Sequence, residues 1–254
     1  MGLATMTLIA IVLAPAPAPV GMAQRAPRLS PEAERAQTHY RVGVDLLRSE
    51  DFEGAVKAFQ SAIDLNPKFT LAYYGLGRSL MGLRRYAGAI DAYGQCRDLY
   101  IARAGQKFSG QIDATRYRQD RLMELNELAR QFSTGPQTQQ TQDTLRQIQN
   151  AIRRTNLDVE IGSNIDIDVS VPAFVSVALG SAYFRANRIA DAEREYKAAI
   201  AADDKAGEAH NNLAVVYMLT SRAEDAAKEV ALAEKSGFRV NPDLKRDIAD
   251  RRKK

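Results

Sequence analysis

Cys96, His39 and His210 supply the only thiol and the only imidazoles in this chain of 254 residues. A lone cysteine makes no internal disulfide, and a zinc site needs three or four Cys or His ligands, which this inventory barely assembles. Nucleophilic catalysis would require Cys96 or a serine beside one of the two histidines and a carboxylate behind it, and no spacing in the chain sets up that triad. There is no glycine-rich phosphate loop. Four acids, Asp158, Glu160, Asp166 and Asp168, invite a calcium reading, but their spacing departs from the Asp-x-Asp-x-Asp-Gly loop and no ligand series follows. The expectation is therefore a chain with no catalytic residue, no metal and no cofactor.

Composition points the same way. The 35 basic and 31 acidic residues leave +4, and the last ten residues, Lys245 to Lys254, carry six bases and two acids, so the body is neutral. A nucleic-acid-binding face needs cations clustered across a domain, and none is expected here. An apolar content of 45% excludes disorder of the whole chain.

What elements, then, position the remaining side chains? Gly43 and Gly77 lie 34 residues apart, as do Ala55 and Ala89, Phe59 and Tyr93, and Ala62 and Cys96. The same offset links Leu179 to Leu213, Gly180 to Ala214, Tyr183 to Tyr217, Ala192 to Ala226 and Ala199 to Ala233. Each unit has two amphipathic helices, with small residues where they cross and large apolar ones between units, so that no pair buries its stripe alone. His39 and His210 fall where Tyr73 sits in its unit, which makes them packing residues, and Cys96 occupies a small-residue slot.

These residues resemble the tetratricopeptide repeat family, whose pattern runs Leu-Gly-x2-Tyr, then Ala-x3-Phe, then Pro. The third unit has Leu179-Gly180-x2-Tyr183 and Ala192-x3-Tyr196; the first has Val42-Gly43, Ala55-x3-Phe59 and Asn66-Pro67; the second has Tyr73-x2-Leu76-Gly77 and Ala89-x3-Tyr93. The fourth departs most, with Ala214 and Val230 in place of the glycine and the aromatic. The resemblance covers 36 to 103 and 173 to 240. It implies a mainly α fold, a solenoid of antiparallel helix pairs, with an inner groove that binds protein. It also implies which residues face that groove: Tyr40, Arg41, Val44, Arg48, Tyr74 and Arg78 in units one and two, and Phe174, Val177, Ser181, Phe184, Asn211, Asn212, Val215 and Met218 in units three and four. Guanidinium forks there would pair with carboxylates and the asparagines with a peptide backbone. The lysine and asparagine clamp of some family members is not reproduced, since Tyr40, Val44 and Gly75 stand in its places.

The domain plan expected is a leader over 1–23, a first repeat pair over 30–103, an insertion over 104–172, a second pair over 173–240 and a capping helix with a basic tail over 241–254. The leader has no charge from Met1 to Gln24 and an apolar run from Leu3 to Ala14, shorter than a bilayer span, with Gly21-Met22-Ala23 as a cleavage site. It predicts export to a periplasm or medium and no membrane span after cleavage; an uncleaved, membrane-tethered form is the alternative. Within the insertion, Ile101, Phe108, Thr115, Leu122 and Ala129 recur every seven residues, with Ile112, Leu125 and Phe132 beside them, so the last helix of unit two is expected to run to Phe132 unless Gly105 and Gly110 break it. Leu145, Ile148 and Ile152 predict a helix folding back. Alternating Leu157, Val159 and Ile161, then Ile165, Ile167 and Val169, predict a short β-hairpin turning at Gly162-Ser163-Asn164. The function expected is a non-enzymatic scaffold that binds an extended peptide or partner helix, with the insertion as a second docking surface; the alternative is an assembly-factor subunit of a secretion, pilus or outer-membrane complex. The partner's identity and the oligomeric state are left open.

Overall fold

The computed structural model describes residues 30–104, 111–134, 139–161 and 171–253. The leader, the glycines at 105 and 110, and the turn and second strand expected over 162–169 lie outside the described residues.

Eleven α-helices follow one another in the described residues: α1 (Pro31–Arg48), α2 (Phe52–Leu65), α3 (Thr70–Gly82), α4 (Tyr86–Ala104), α5 (Gln111–Thr134), α6 (Gln139–Ile161), α7 (Ala173–Arg185), α8 (Ile189–Ala202), α9 (Gly207–Leu219), α10 (Ala223–Lys235) and α11 (Pro242–Arg251). Local chemistry sets their ends. Ser30 caps α1, its Oγ accepting from the Ala33 amide at 3.2 Å, with Pro31 in the first turn and Glu32 and Glu34 facing the positive end of the helix dipole. Asp51 and Asn241 cap α2 and α11 in the same way. Four turns within helix pairs place Glu50, Arg84, Asn187 and Ser221 at φ between 56° and 61°, and the next amide in each reaches back to the carbonyl five residues earlier, as Arg188 does to Tyr183 at 2.8 Å. This is the left-handed helix stop usually given to glycine.

The seams are aromatic wedges on glycine. A Cβ on Gly43 or on Gly75 would stand 2.8 or 2.4 Å from the Phe59 ring, so this one side chain of α2 closes on both α1 and α3. Tyr93 meets Gly77, and Tyr196 meets Gly180, in the same way. The stack runs on from α4 to α7 as if the insertion were absent: Ala89 and Tyr93 share a core with Leu179, Ala182 and Tyr183, and Arg97 of α4 pairs with Glu195 of α8 at 2.9 Å. At the far end α11 lies on α10, burying Ile248, and Arg251 donates to the Met218 carbonyl at 2.9 Å.

One expectation needs correction. The run 157–161, read as a strand, is the last turn and a half of α6, because no glycine or proline interrupts the helix between 139 and 161 and the first breaker is Gly162. The helix expected to run from unit two to Phe132 is seen as α4 up to Ala104 and as α5 from Gln111, and the residues between them, with the two glycines, lie outside the described residues. Within the seven-residue stripe Ile101 is 55% exposed, while Ala129 packs against the core that buries Leu125 and Leu128.

Gly75→Ala is expected to destabilise the fold by roughly 1–3 kcal/mol, since the new methyl must displace the Phe59 ring. Gly94 of α4 has open space around its Cα, so Gly94→Ala is expected to add up to about 1 kcal/mol of helix propensity. Urea titration of both variants by circular dichroism checks the opposite signs.

Candidate functional site

Helices α1, α3, α7 and α9 are the first of each pair and carry the residues expected to face the groove. In the first two units that face is not empty. Leu125 and Leu128 of α5 and Ile148 of α6 bury themselves in one cluster with Tyr40, Val44, Phe59 and Leu71. The insertion is thus folded as a helical hairpin into the groove side of the first pair.

A buried carboxylate holds it there. Glu124 of α5 accepts from Thr70 Oγ1 at 2.8 Å and from the hydroxyl of Tyr100, and its other oxygen accepts from Arg103 and, at 3.2 Å, from Arg121. Its side chain is 5% exposed. Burial pushes its carboxyl up, but Arg103, Arg121 and the two hydroxyl donors outweigh burial and hold it below the ordinary value. At the end of α5 an Arg48 guanidinium nitrogen donates to Thr134 Oγ1 at 3.3 Å, and Phe132 packs edge-on against Phe174 with centroids 6.0 Å apart.

Between α1, α3 and the end of α5 a cavity of about 200 Å³ remains, lined by Tyr40, Val44, Leu47, Arg48, Phe59, Leu71, Tyr74, Gly75, Arg78 and Thr134. The structure thus brings together Tyr40, Val44, Arg48, Tyr74 and Arg78 from the set expected in the sequence. Arg41 does not line the cavity; it is exposed elsewhere on α1. Tyr40 and Val44 are buried, so they form wall rather than accessible surface. Burial pushes the Tyr74 hydroxyl up to about 12 despite the nearby Arg78 guanidinium, so it stays a neutral donor at physiological pH.

On the second pair, Val177 is buried against Ala199 and Ala209, and Met218 is buried in the main core; both pack rather than face a partner. Ser181, Phe184, Asn211, Asn212 and Val215 are half-exposed. Ser181 Oγ lies 3.3 Å from the Tyr196 hydroxyl, and Asn211 donates to Asn212 at 3.2 Å. Two residues of this face were missed. Glu208 stands 34 residues after Phe174, so the same repeat arithmetic could have found it. It keeps an exposed surface, yet lost hydration along the groove wall raises its carboxyl above the usual range. Leu219, 60% exposed, holds in unit four the place that Arg48 holds in unit one.

The remaining chemistry-bearing residues are structural. His210 Nδ1 donates to Glu229 at 2.6 Å and Nε2 lies 3.1 Å from the Asp204 carbonyl, tying α9 to α10 and to the preceding turn. The repeat pattern gave no hint of that carboxylate. His39 is exposed rather than packed, since no described element precedes α1 for it to meet. Cys96 is fully buried, and burial pushes its thiol well above its usual value, away from the reactive thiolate. No group of three metal-ligating side chains occurs among the described residues.

Stacked helix pairs, glycine–aromatic seams and first helices facing one groove define an α-solenoid of the protein-interaction class. The family profile "Tetratricopeptide repeat" matches residues 40–95 and 177–239, so the two blocks on either side of the insertion are tetratricopeptide repeats. No curated protein matches it. Among solved structures, a MamA double mutant (RS-1 ArsTM) is 14% identical, with 79% of this chain and 74% of that one covered and a TM-score of 0.48. The type IV pilus biogenesis factor PilW is 16% identical, with 86% of each chain covered and a TM-score of 0.41. A thermophilic TPR protein of Thermus thermophilus is 19% identical, with 86% of this chain and 100% of that one covered and a TM-score of 0.35. Likenesses this loose transfer no function. No described helix is long and apolar enough to cross a membrane.

Glu124→Gln is expected to lower the free energy of unfolding by about 3 kcal/mol, because Arg103 and Arg121 are left half-buried without their counter-charge. In the wild type the folded carboxyl binds its proton less readily than the unfolded one, near 4.5, so this stability is full above that pH and is lost as the pH falls through and below it. The variant should lose this share of the acid sensitivity. Urea titrations at pH 7 and pH 4 check both effects; a loss under about 1 kcal/mol at pH 7 would mean that the network does not hold the hairpin.

Proposed function

We propose that the chain is a non-enzymatic scaffold that holds an extended segment of a partner protein on the groove face of its second repeat pair. The observation that carries this reading is the surface left on α7 and α9. Leu219, Val215 and Phe184 offer apolar contact, and Ser181, Asn211, Asn212 and Glu208 offer donors and acceptors to a peptide backbone, while the corresponding face of the first pair is taken by α5. Tetratricopeptide repeats bind protein partners, and a groove with fixed helical walls suits a segment that orders only on binding. The uncharged apolar run from Leu3 to Ala14 supports export, which would put the scaffold in the cell envelope or outside it.

A photo-crosslinking residue at Asn212 is expected to capture the partner in cells, whereas the same residue at Lys197, on the exposed side of α8, should not. Val215→Arg in the Asn212 background should reduce the crosslink at least about tenfold, the effect of losing a single good contact, with the melting temperature unchanged. Equal crosslinking at both positions would refute the assignment of this face.

A further inference from the structure

The cavity between α1, α3 and α5 has a chemistry that packing does not explain. It presents two guanidiniums, Arg48 and Arg78, and no carboxylate lines it. Arg48 is only loosely engaged, with Asp45 and Thr134 each 3.3 Å from it and its side chain 46% exposed. Arg78 makes no hydrogen bond or ion pair among the described residues, yet its charge is felt by the hydroxyls of Tyr40, Tyr74 and Tyr93. Of the acids nearby, Glu127 is paired with Arg130 at 3.0 Å and Asp45 with Arg48 at 3.3 Å, and Glu208, whose charge the Tyr74 hydroxyl feels, does not line the cavity. Arg78 is exposed and Arg48 nearly half so, so water solvates both guanidiniums in the free protein, and a carboxylate entering between them gains charge-assisted donors set against aromatic walls.

The size of the cavity limits what that anion is. At about 200 Å³ it falls below the roughly 300–1,000 Å³ of small-molecule pockets, so it suits one side chain rather than a cofactor or a helix. One wall, Thr134, comes from the insertion, so the repeats alone do not make it.

We propose that the Arg48–Arg78 cavity is an anchor for one acidic side chain, Asp or Glu, of the partner segment that runs along the groove. The carboxylate sits between the two guanidiniums with the Tyr74 hydroxyl as a third donor, and the rest of the segment continues over α7 and α9. This rests on the groove reading above and adds to it a charge requirement at one position of the partner.

The test is a selection from random-peptide phage libraries, one displaying internal segments and one displaying free C-termini, against the whole protein and its Arg78→Gln, Arg48→Gln and Arg41→Gln variants. Expected is enrichment of Asp or Glu at one position of the internal-segment library. That enrichment should be lost with Arg78→Gln and weakened with Arg48→Gln, but kept with Arg41→Gln, whose charge lies outside the cavity. A selected peptide should bind Arg78→Gln on the order of tenfold more weakly by calorimetry. Arg78 is exposed and has no hydrogen bond or ion pair among the described residues, so its variant should melt like the wild type; if it does not, Arg48→Gln carries the test. Acidic enrichment that survives both substitutions would overturn the proposal, as would enrichment confined to free C-termini, which would make the ligand a terminal carboxylate. Peptides enriched without an acidic position would overturn the anchor and leave the groove standing, whereas no enriched peptide at all would overturn both.

Discussion

Three of the four repeat units close on a ring pressed against a glycine, and the stack depends on that contact. Phe59, Tyr93 and Tyr196 each project from the second helix of a pair onto a residue of the first helix that has no side chain, at a distance where even a methyl group would collide. Because Phe59 also closes on Gly75 of the next pair, the wedge within a unit is at the same time the contact between units. Stability of this kind is shared between neighbours, and a unit without its neighbours leaves an apolar seam in water. That explains how a long insertion is tolerated. The chain can leave the stack after α4 and rejoin it at α7 so long as Tyr93 still finds Leu179 and Ala182 where the next unit must provide them.

The insertion itself is held by different physics. Its leucines fill the groove side of the first pair, which is non-directional and would accept several registers. The Glu124 carboxylate is directional. Removing a carboxylate from water costs several kcal/mol unless partners replace the lost hydration, and here two hydroxyls and two guanidiniums from α3, α4 and α5 converge on it. Arg121 travels with Glu124 on α5, but Thr70, Tyr100 and Arg103 stand on the repeats, and bringing the carboxylate to all three fixes how α5 docks. The apolar contacts supply the affinity of the hairpin for the groove, and the buried charge fixes where it lies.

The repeats were legible because their signal is arithmetic: small and aromatic residues at one offset leave few alternatives, and both blocks were bounded from landmarks such as Gly43 and Tyr183. The insertion was less legible, since its contacts are made to residues far away in the chain. Nothing local marks Glu124, rather than Glu127 three residues on, as the buried acid. Likewise, the alternation at 157–161 is compatible with either period over so short a run, and the absence of a breaker decided for helix. The candidate site divides along the same line. Arg48, Tyr74 and Arg78 were found through the repeat register, whereas Thr134, which closes the cavity, could not be. Tyr40 and Val44 were read as groove-facing from the repeat register, but no local pattern marks their face as the one α5 covers.

That covering changes what the groove can do. A tetratricopeptide groove lined only by its own first helices presents one continuous surface, and affinity can be spread along it. Here α5 covers part of the surface on the first pair and leaves the second pair open. On one side of α3 lies a small cavity with excess positive charge; on the other lies a wider face with an exposed leucine, two asparagines and a glutamate whose environment disfavours its charge. The two regions differ in sign and in polarity, and Tyr74 stands between them, feeling both Arg78 and Glu208. A ligand reading both must therefore run in one direction, with its acid toward α1, because the reverse orientation would bring like charges together at Glu208 and leave the guanidiniums unpaired. Charge placed at two ends of a groove costs little in fold stability and selects direction, a property that apolar contact alone does not supply.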